Sequence, residues 1–219
     1  MITLYTAPTP NGRKISVTLE ELKIPYQIKE VDLTQNQQKS PDFLALNPNG
    51  RIPVIVDTAN ENFCVFESGA IMLYLAEQAG QLLPPSPKGK SLVTQWLMFQ
   101  MSGLGPMMGQ ANVFYRYFPE KIPVVINRYQ TESLRLLTVL DNALENKEFL
   151  LDEYSIADIA NFCWAKTHRW SGINIDHLPH LNRWIDTISK RPAVIAGLNV
   201  PENITKESLI LAGKNIITP

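Results

Sequence analysis

A short stretch rich in proline and glycine divides this sequence into two parts with different patterns. Two glycines and three prolines fall within residues 80–89, a composition that interrupts regular structure and is typical of linkers. Before this stretch, short apolar runs that suit strands alternate with helical patterns; after it, the patterns are helical. We therefore predict an α/β domain over residues 1–80, a linker over 81–89, an all-α domain over 90–200 and an unassigned tail over 201–219.

The N-terminal part begins with a strand, an amphipathic helix and a second strand. Apolar and polar residues alternate over positions 1–6, and the helix that follows places Ile15, Leu19 and Leu22 on one face. A second strand is predicted over positions 26–33. A strand–helix–strand unit of this length predicts that the two strands are parallel.

A short helix and a hairpin complete the predicted sheet. The helix is expected over positions 42–46. Two short apolar runs, 54–56 and 63–66, are joined by a brief turn and predict an antiparallel pair of strands. Pro53 stands at the start of the first of these strands, where proline is tolerated, and the Ile52–Pro53 bond is a candidate for the cis form.

The C-terminal part shows helical patterns only. Residues 90–100 are apolar around much of the helix circumference, which predicts burial on more than one side. The small residues and the proline within 102–109 predict a kink. A capping box at Ser155 and Asp158 marks a helix start. Further helices are expected over 124–144, 159–170, 178–190 and 193–198.

Composition and charge argue against several kinds of partner and site. The formal net charge is −1, so neither nucleic acid nor an anionic membrane is expected as a partner, and no apolar run is long enough to span a membrane. The first residues form a strand without a signal-peptide core, so we expect a cytoplasmic protein. Cys64 and Cys163 lie far apart and form neither a disulfide framework nor a metal site; we expect both to be buried and inert, and no metal to bind.

Two helix starts supply candidate binding groups. In Thr9-Pro10-Asn11-Gly12, Thr9 is placed as an N-cap and Pro10 as the first helical residue. The Thr9 hydroxyl and the Asn11 amide are then donors beside free backbone N–H groups, which stabilise a thiolate or another anion. At Glu67-Ser68-Gly69 a second helix starts after a strand, and Ser68 could hold the carboxylate of a small ligand. Ordinary helix capping also explains residues 9–12, so both interpretations stay open on this pattern alone.

Four segments give the chain a resemblance to a known family. Residues 49–53 resemble the cis-proline turn of the cytosolic glutathione transferases, residues 66–71 resemble their γ-glutamyl-binding helix start, and residues 155–158 resemble the capping box of their sixth helix. Residues 9–15 resemble the narrower bacterial nu class, which is associated with glutathione-dependent disulfide reduction. The resemblance implies a thioredoxin-like N-terminal domain (βαβ-α-ββα, with a mixed four-stranded sheet), an all-α C-terminal domain and a homodimer.

The same resemblance implies roles for individual residues. Thr9 and Asn11 would stand beside the sulfur of glutathione as the catalytic pair. The rest of the glutathione molecule would be bound by a second set of residues, namely Gln38, Arg51, Ile52, Glu67, Ser68 and Arg128.

The absence of a cysteine from the first turn of the first predicted helix points to the source of the thiol. A thioredoxin would carry two cysteines there, so here the thiol chemistry would come from glutathione as co-substrate. The activity expected is reduction of a disulfide by glutathione thiolate, with a second thiolate resolving the mixed disulfide. Whether one or two glutathione molecules bind stays open. Conjugation of glutathione to electrophilic small molecules, and a non-catalytic binding module with the same fold, are the alternatives.

Overall fold

The N-terminal part of the chain forms a four-stranded mixed sheet in the computed structural model, which describes residues 1–217. β1 runs parallel to β2, whereas β3 is antiparallel to both β1 and β4. The order across the sheet is β2-β1-β3-β4. The predicted mixed sheet, with its parallel first pair and its antiparallel hairpin, is therefore confirmed. The strands are β1 (Ile2–Thr6), β2 (Tyr26–Glu30), β3 (Val54–Asp57) and β4 (Phe63–Phe66).

Helices form most of the remaining structure. Two short 3₁₀ turns, Leu33–Gln35 and Gln37–Lys39, lie between β2 and the second helix, and two π-helical turns, Gln100–Leu104 and Val113–Tyr117, flank the fifth. The helices are α1 (Pro10–Glu21), α2 (Pro41–Leu46), α3 (Ser68–Ala79), α4 (Pro87–Phe99), α5 (Gly105–Asn112), α6 (Pro123–Ala143), α7 (Ile156–Ala165), α8 (Pro179–Ser189), α9 (Pro192–Leu198) and α10 (Lys206–Ile217).

Helices cover both faces of the sheet. α1 and α3 pack together on the face that carries Leu4 and Ile55, and this core continues into the C-terminal helices. α2 covers the opposite face through Phe43, which packs with Val31 and Val54. Neighbouring strand residues point to opposite faces, so Val54 and Ile55 belong to different layers of the molecule.

α1 lies at the junction between the two parts of the chain. It packs against α7 and α9 as well as against α3. The Ser16 hydroxyl donates to the carbonyl of Gly197 over 2.6 Å, and a Cβ at position 197 would lie 2.5 Å from the Cα of Val17. Only glycine permits this approach, because any side chain at position 197 would collide with the backbone of α1. The C-terminal helices therefore fix the position of α1.

The capping box predicted at the start of α7 is confirmed. The Asp158 carboxylate accepts the backbone N–H of Ser155 over 3.1 Å, and the Ser155 hydroxyl accepts an N–H from the first turn of the helix. Every residue of α7 is buried. Asp158 also accepts the N–H of Leu150 over 2.9 Å and the indole N–H of Trp184 over 3.0 Å. Asp158 thereby joins α7, α8 and the loop before α7.

Three elements differ from the prediction by three or more residues at one or both ends. α4 begins at Pro87, inside the stretch predicted as a linker, because the Ser86 hydroxyl caps it by accepting the N–H of Gly89 over 3.1 Å. β2 ends at Glu30 because a 3₁₀ turn follows. α7 begins at its capping box and ends at Ala165, and turns replace the rest of the helix predicted over 159–170.

α4 is buried on one side only, so the prediction of burial on more than one side is wrong for the chain by itself. Val93 and Leu97 are fully buried, whereas Leu92 is 38% exposed and Met98 47% exposed. The apolar pattern predicts the helix correctly, but some of its apolar residues face away from the core.

The tail that the sequence left unassigned contains α10. This helix packs against Val113–Tyr117 and Leu33–Gln35, and the Asn215 amide donates to the carbonyl of Thr34 over 2.9 Å. Residues 218–219 of the predicted tail lie outside the described residues. Within residues 1–217, no helix combines the length and apolar character needed to cross a membrane.

Candidate functional site

One edge of the sheet gathers the chain segments that carry most of the predicted site. Tyr5 of β1 pairs with Val54 of β3, which pairs with Phe66 of β4, so the chain leaves β1, enters β3 and leaves β4 at the same edge. β2 ends there too, with the N–H of Val31 donating to the carbonyl of Thr6 over 2.8 Å. The segments that meet this edge carry Thr9, Asn11, Gln38, Arg51, Ile52, Glu67 and Ser68.

Thr9 caps α1, as the sequence predicted. Its hydroxyl oxygen accepts the N–H of Gly12 over 3.2 Å, and Pro10 occupies the first turn. A Cβ at position 12 would lie 2.3 Å from the carbonyl oxygen of Ala7, so glycine is needed for the tight exit from β1. Capping uses a lone pair of the Thr9 hydroxyl and leaves its proton free to donate to an anion.

Asn11 is held by a residue of the C-terminal part. The indole N–H of Trp164, on α7, donates to the Asn11 side-chain oxygen over 2.8 Å. Because the amide oxygen accepts this hydrogen bond, the Asn11 side chain is oriented with its N–H₂ group free to donate. Sequence analysis found Asn11 but missed Trp164, because 153 residues separate the two partners and no local pattern connects them.

The Ile52–Pro53 peptide bond is cis, as expected. Just before it, the Asn47 amide donates to the carbonyl of Arg51 over 2.7 Å and fixes the turn. None of the hydrogen bonds described for residues 1–217 uses the N–H or the carbonyl of Ile52. These groups are therefore available to an extended ligand backbone, while the Arg51 side chain is exposed.

The start of α3 differs from the start of α1 in lacking a side-chain cap. Glu67, at the N-cap position, makes no capping hydrogen bond and has a φ of +71°, a conformation that L side chains rarely adopt. Such conformations persist where the surrounding structure enforces them, and they cluster at binding sites. The uncapped N–H groups and the Ser68 hydroxyl together offer donors to an anion.

Lys14 is a site-lining residue that sequence analysis missed. It is 1% exposed, and its ammonium group donates to the Ser68 hydroxyl over 3.3 Å and to the Gln100 side-chain oxygen over 2.5 Å. Burial lowers the pKa of Lys14 to about 7. A lysine in an amphipathic helix is ordinarily exposed, so no sequence signal marked this one. It is buried where α1 packs against α3 and α7, with Ser68, Gln100 and Met101 around its ammonium group.

Gln38 lies in the 3₁₀ turn Gln37–Lys39, between β2 and α2. It is 6% exposed, its amide N–H₂ donates to the Asn36 side-chain oxygen over 3.3 Å, and its own side-chain oxygen is buried without a partner among the residues described. A buried acceptor without a donor is uncommon in proteins. A ligand N–H would satisfy it.

Arg128 is the predicted site residue that the structure does not join to the others. It lies on α6 with its side chain 66% exposed, and its nearest charged partner is Glu132 of the same helix, at 3.8 Å. Glu132 also pairs with Arg135 at 2.7 Å. This is the solvated arrangement expected of an arginine on the polar face of a helix.

Neither cysteine is disposed to serve as a nucleophile. Burial raises the pKa of the Cys163 thiol to about 12, and it raises that of Cys64 as well. Cys163 is buried as predicted, whereas Cys64 is only half-buried. In the part of the chain that the structure describes, no group of three or more His, Cys, Asp or Glu side chains is arranged to hold a metal ion.

Comparison with protein-family models assigns both parts of the chain. Residues 1–77 match the glutathione S-transferase N-terminal domain, and residues 112–192 match the glutathione S-transferase C-terminal domain. The disulfide-bond oxidoreductase YfcG of Escherichia coli (strain K12) is 46% identical over 200 residues, which cover 88% of this chain and 92% of that protein.

Two solved structures share the fold at substantial sequence identity. A glutathione transferase from Burkholderia graminis, with two glutathione molecules bound per subunit, is 41% identical with a TM-score of 0.87, covering 93% of this chain and 89% of that one. A glutathione transferase from Pseudomonas putida, with one glutathione disulfide bound per subunit, is 40% identical with a TM-score of 0.87, covering 91% of each chain.

Proposed function

This chain belongs to the glutathione S-transferase family, and we propose that it is a glutathione-dependent disulfide-bond reductase. One observation carries this function: the first turn of α1 presents two side-chain donors, Thr9 and Asn11, and no cysteine. The nucleophilic sulfur then belongs to glutathione, which serves as co-substrate.

Glutathione would bind along the sheet edge defined above. The γ-glutamyl carboxylate would bind at the uncapped start of α3, with Ser68 donating to it and Glu67 pairing with the α-amino group. The cysteinyl backbone would pair with the free N–H and carbonyl of Ile52. Gln38 and Arg51 would contact the remaining part of glutathione. The buried side-chain oxygen of Gln38, which has no partner among the residues described, supports a contact between Gln38 and the ligand.

The sulfur would then lie at the start of α1. An ordinary thiol has a pKa of about 8.5, so little thiolate exists at neutral pH, and each unit by which the pKa falls corresponds to about 1.4 kcal/mol. The hydroxyl proton of Thr9, the amide N–H₂ of Asn11 and the positive end of the helix dipole all favour the thiolate.

The reaction is a pair of thiol–disulfide exchanges. The first glutathione thiolate attacks one sulfur of the substrate disulfide, which forms a mixed disulfide and releases the other sulfur as a thiolate. A second glutathione thiolate attacks the glutathione sulfur of the mixed disulfide, which yields glutathione disulfide and the second substrate thiol. The two glutathiones supply the two electrons. Relatives that bind two glutathiones, or glutathione disulfide, support a site of this capacity.

Arg128 has a weaker structural case than the other glutathione-binding residues. The family resemblance implies that it contacts the ligand, whereas its contacts in the chain are those of a solvated side chain. We retain it as a contact to the exposed part of the bound glutathione, where a flexible guanidinium can reach a carboxylate.

The assembly and the setting of the protein are further parts of this proposal. We propose that the chain belongs to the nu class, as the resemblance of residues 9–15 implies, and that it is cytoplasmic. We also propose a homodimer in which the exposed apolar residues of α4 and β4 are covered by the second subunit. These residues are Phe63 (50% exposed), Phe66 (39%), Leu92 (38%) and Met98 (47%). A contact between subunits would also account for the apolar outer side of α4.

Reduction of a small model disulfide by glutathione tests the function. A coupled assay reduces the glutathione disulfide that forms and thereby measures the consumption of glutathione. Conjugation to a chloronitrobenzene is measured in parallel. We expect a disulfide-reducing rate that is retained in the Cys64→Ala, Cys163→Ala double variant. Conjugation without disulfide reduction would replace the proposed activity with transfer to electrophiles, and binding of glutathione without either rate would indicate a non-catalytic module.

A further inference from the structure

A buried lysine lies behind the uncapped start of α3. The ammonium group of Lys14 contacts the Ser68 hydroxyl at 3.3 Å, the Gln100 side-chain oxygen at 2.5 Å and the Met101 sulfur at 3.9 Å. All three partners are neutral. The ammonium group therefore has hydrogen bonds but no negative charge in direct contact.

The surrounding elements supply little counter-charge. None of the ion pairs found within residues 1–217 includes Lys14. Cys163 of α7 faces it, but its raised pKa keeps that thiol neutral at pH 7. Glu67, before α3, is the nearby carboxylate, and it is exposed to water, which screens its charge. On α1 itself the neighbouring Arg13 is also positive, and its guanidinium turns away to the carbonyl of Pro201.

The Ser68 hydroxyl connects Lys14 to the ligand position. It accepts a hydrogen bond from Lys14, so its own proton points elsewhere, and the acceptor within reach is the Met101 sulfur at 3.8 Å. A thioether is a weak acceptor. A carboxylate at the start of α3 would take this proton in its place and would stand next to the buried ammonium group.

We propose that Lys14 is a positioning residue of the γ-glutamyl site, acting through Ser68 as the buried counter-charge of the ligand carboxylate, so that glutathione binding is coupled to protonation of Lys14. This role rests on the proposed function. The proton comes from solvent and is held on the side-chain nitrogen while the carboxylate is bound. The free-energy cost of burying the ammonium charge in the empty site is offset when the carboxylate of the ligand binds beside it.

The direction of the pH effect follows from the burial of Lys14. Burial lowers its pKa to about 7, so above pH 7 the empty site holds mostly the neutral amine. A carboxylate beside it raises the pKa again. Ligand binding above pH 7 therefore takes up a proton, and the affinity falls as the pH rises.

Calorimetry with S-methylglutathione tests this coupling without interference from a titrating thiol. Binding enthalpies at pH 8 in two buffers of different ionisation enthalpy give the number of protons taken up, and dissociation constants are measured from pH 6 to pH 8. We expect uptake of most of one proton at pH 8 and a dissociation constant that rises about tenfold from pH 6 to pH 8. Lys14→Met should bind more weakly at pH 6 and should lose the pH dependence.

The control is Lys90→Met, which removes an exposed lysine paired with Glu77 and should keep the proton uptake of the wild type. The α-amino group of the ligand titrates in all three proteins, so the difference between them reports on Lys14. Binding without proton uptake by the wild type, or uptake that persists in Lys14→Met, overturns the role of Lys14 alone. Failure of the wild type to bind at any pH overturns this role together with the proposed function. If Lys14→Met does not fold, the wild-type measurement decides.

Discussion

The indole N–H of Trp164 donates to the side-chain oxygen of Asn11 over 2.8 Å, and this bond links the C-terminal helices to the proposed position of the glutathione sulfur. It determines which end of the Asn11 amide is free. If the bond were absent, the amide could turn its oxygen, an acceptor, toward the thiolate, which would disfavour the charged sulfur.

Trp164→Phe should therefore reduce catalysis more than binding. The variant keeps an aromatic ring on α7 but loses the N–H, and one hydrogen bond of this kind contributes about 1 kcal/mol. We expect kcat/KM for the model disulfide to fall about fivefold to tenfold, with little change in the dissociation constant of S-methylglutathione. Trp170→Phe is the matched control, since it also loses an indole N–H bond, of 2.8 Å to the Tyr117 hydroxyl. An equal loss of activity in both variants would contradict the specific role of Trp164.

Thr9 has two separable functions in the proposed mechanism. Thr9→Val removes both the cap and the donor, and we expect it to lower the free energy of unfolding by about 1 kcal/mol and to raise the pKa of bound glutathione. Thr9→Ser keeps the hydroxyl and should preserve both properties. The thiolate absorbance of bound glutathione, followed against pH, gives the pKa directly. A less stable Thr9→Val protein with an unchanged thiol pKa would show that Thr9 is a helix cap only.

The elements that sequence analysis predicted correctly are those specified by neighbouring residues. The Thr9 cap, the hairpin formed by β3 and β4 and the capping box at Ser155 each depend on a pattern a few residues long. Such signals remain visible without tertiary structure. The sheet edge then follows from the order of the strands, which is why most predicted site residues share it.

The features that sequence analysis missed depend on contacts between distant residues. Lys14 is buried among partners 54 to 87 residues away, which include Ser68 and Gln100, and Asn11 is oriented by Trp164. The outer side of α4 shows the reverse case, because the apolar pattern predicts burial on more than one side and Met98 is instead exposed. Periodicity identifies apolar positions, but it does not say what covers them.

Asp158 is expected to be the most sensitive polar position for stability. It is fully buried and accepts four hydrogen bonds, from the N–H and hydroxyl of Ser155, the N–H of Leu150 and the indole of Trp184. Asp158→Ala would leave these buried donors without acceptors, and we expect the free energy of unfolding to fall by about 3 kcal/mol. Urea denaturation measures the change.

Asp152→Ala is the matched control for that substitution, because Asp152 precedes α7 and is exposed. We expect it to change the free energy of unfolding by less than about 0.5 kcal/mol. Similar losses in the two variants would mean that charge near α7, and not the buried hydrogen bonds, sets the stability of this region.

Lys14→Met should change how the stability of the ligand-free protein depends on pH. In the unfolded chain the lysine has a pKa of about 10.4, whereas burial lowers it to about 7 in the folded protein. Between these values the unfolded chain binds more protons than the folded one, so this group makes stability rise with pH. Its contribution should increase by about 2 kcal/mol from pH 7 to pH 9.

The difference between wild type and Lys14→Met isolates that contribution, because other titrating groups, including Cys163, are present in both. Urea denaturation at pH 7, 8 and 9 should show the wild type gaining stability relative to the variant, with Lys90→Met following the wild type. A constant difference across this range would mean that Lys14 keeps its proton in the folded, ligand-free protein. The energetic basis for coupling its protonation to ligand binding would then be lost, since a lysine that is already charged has no proton to take up.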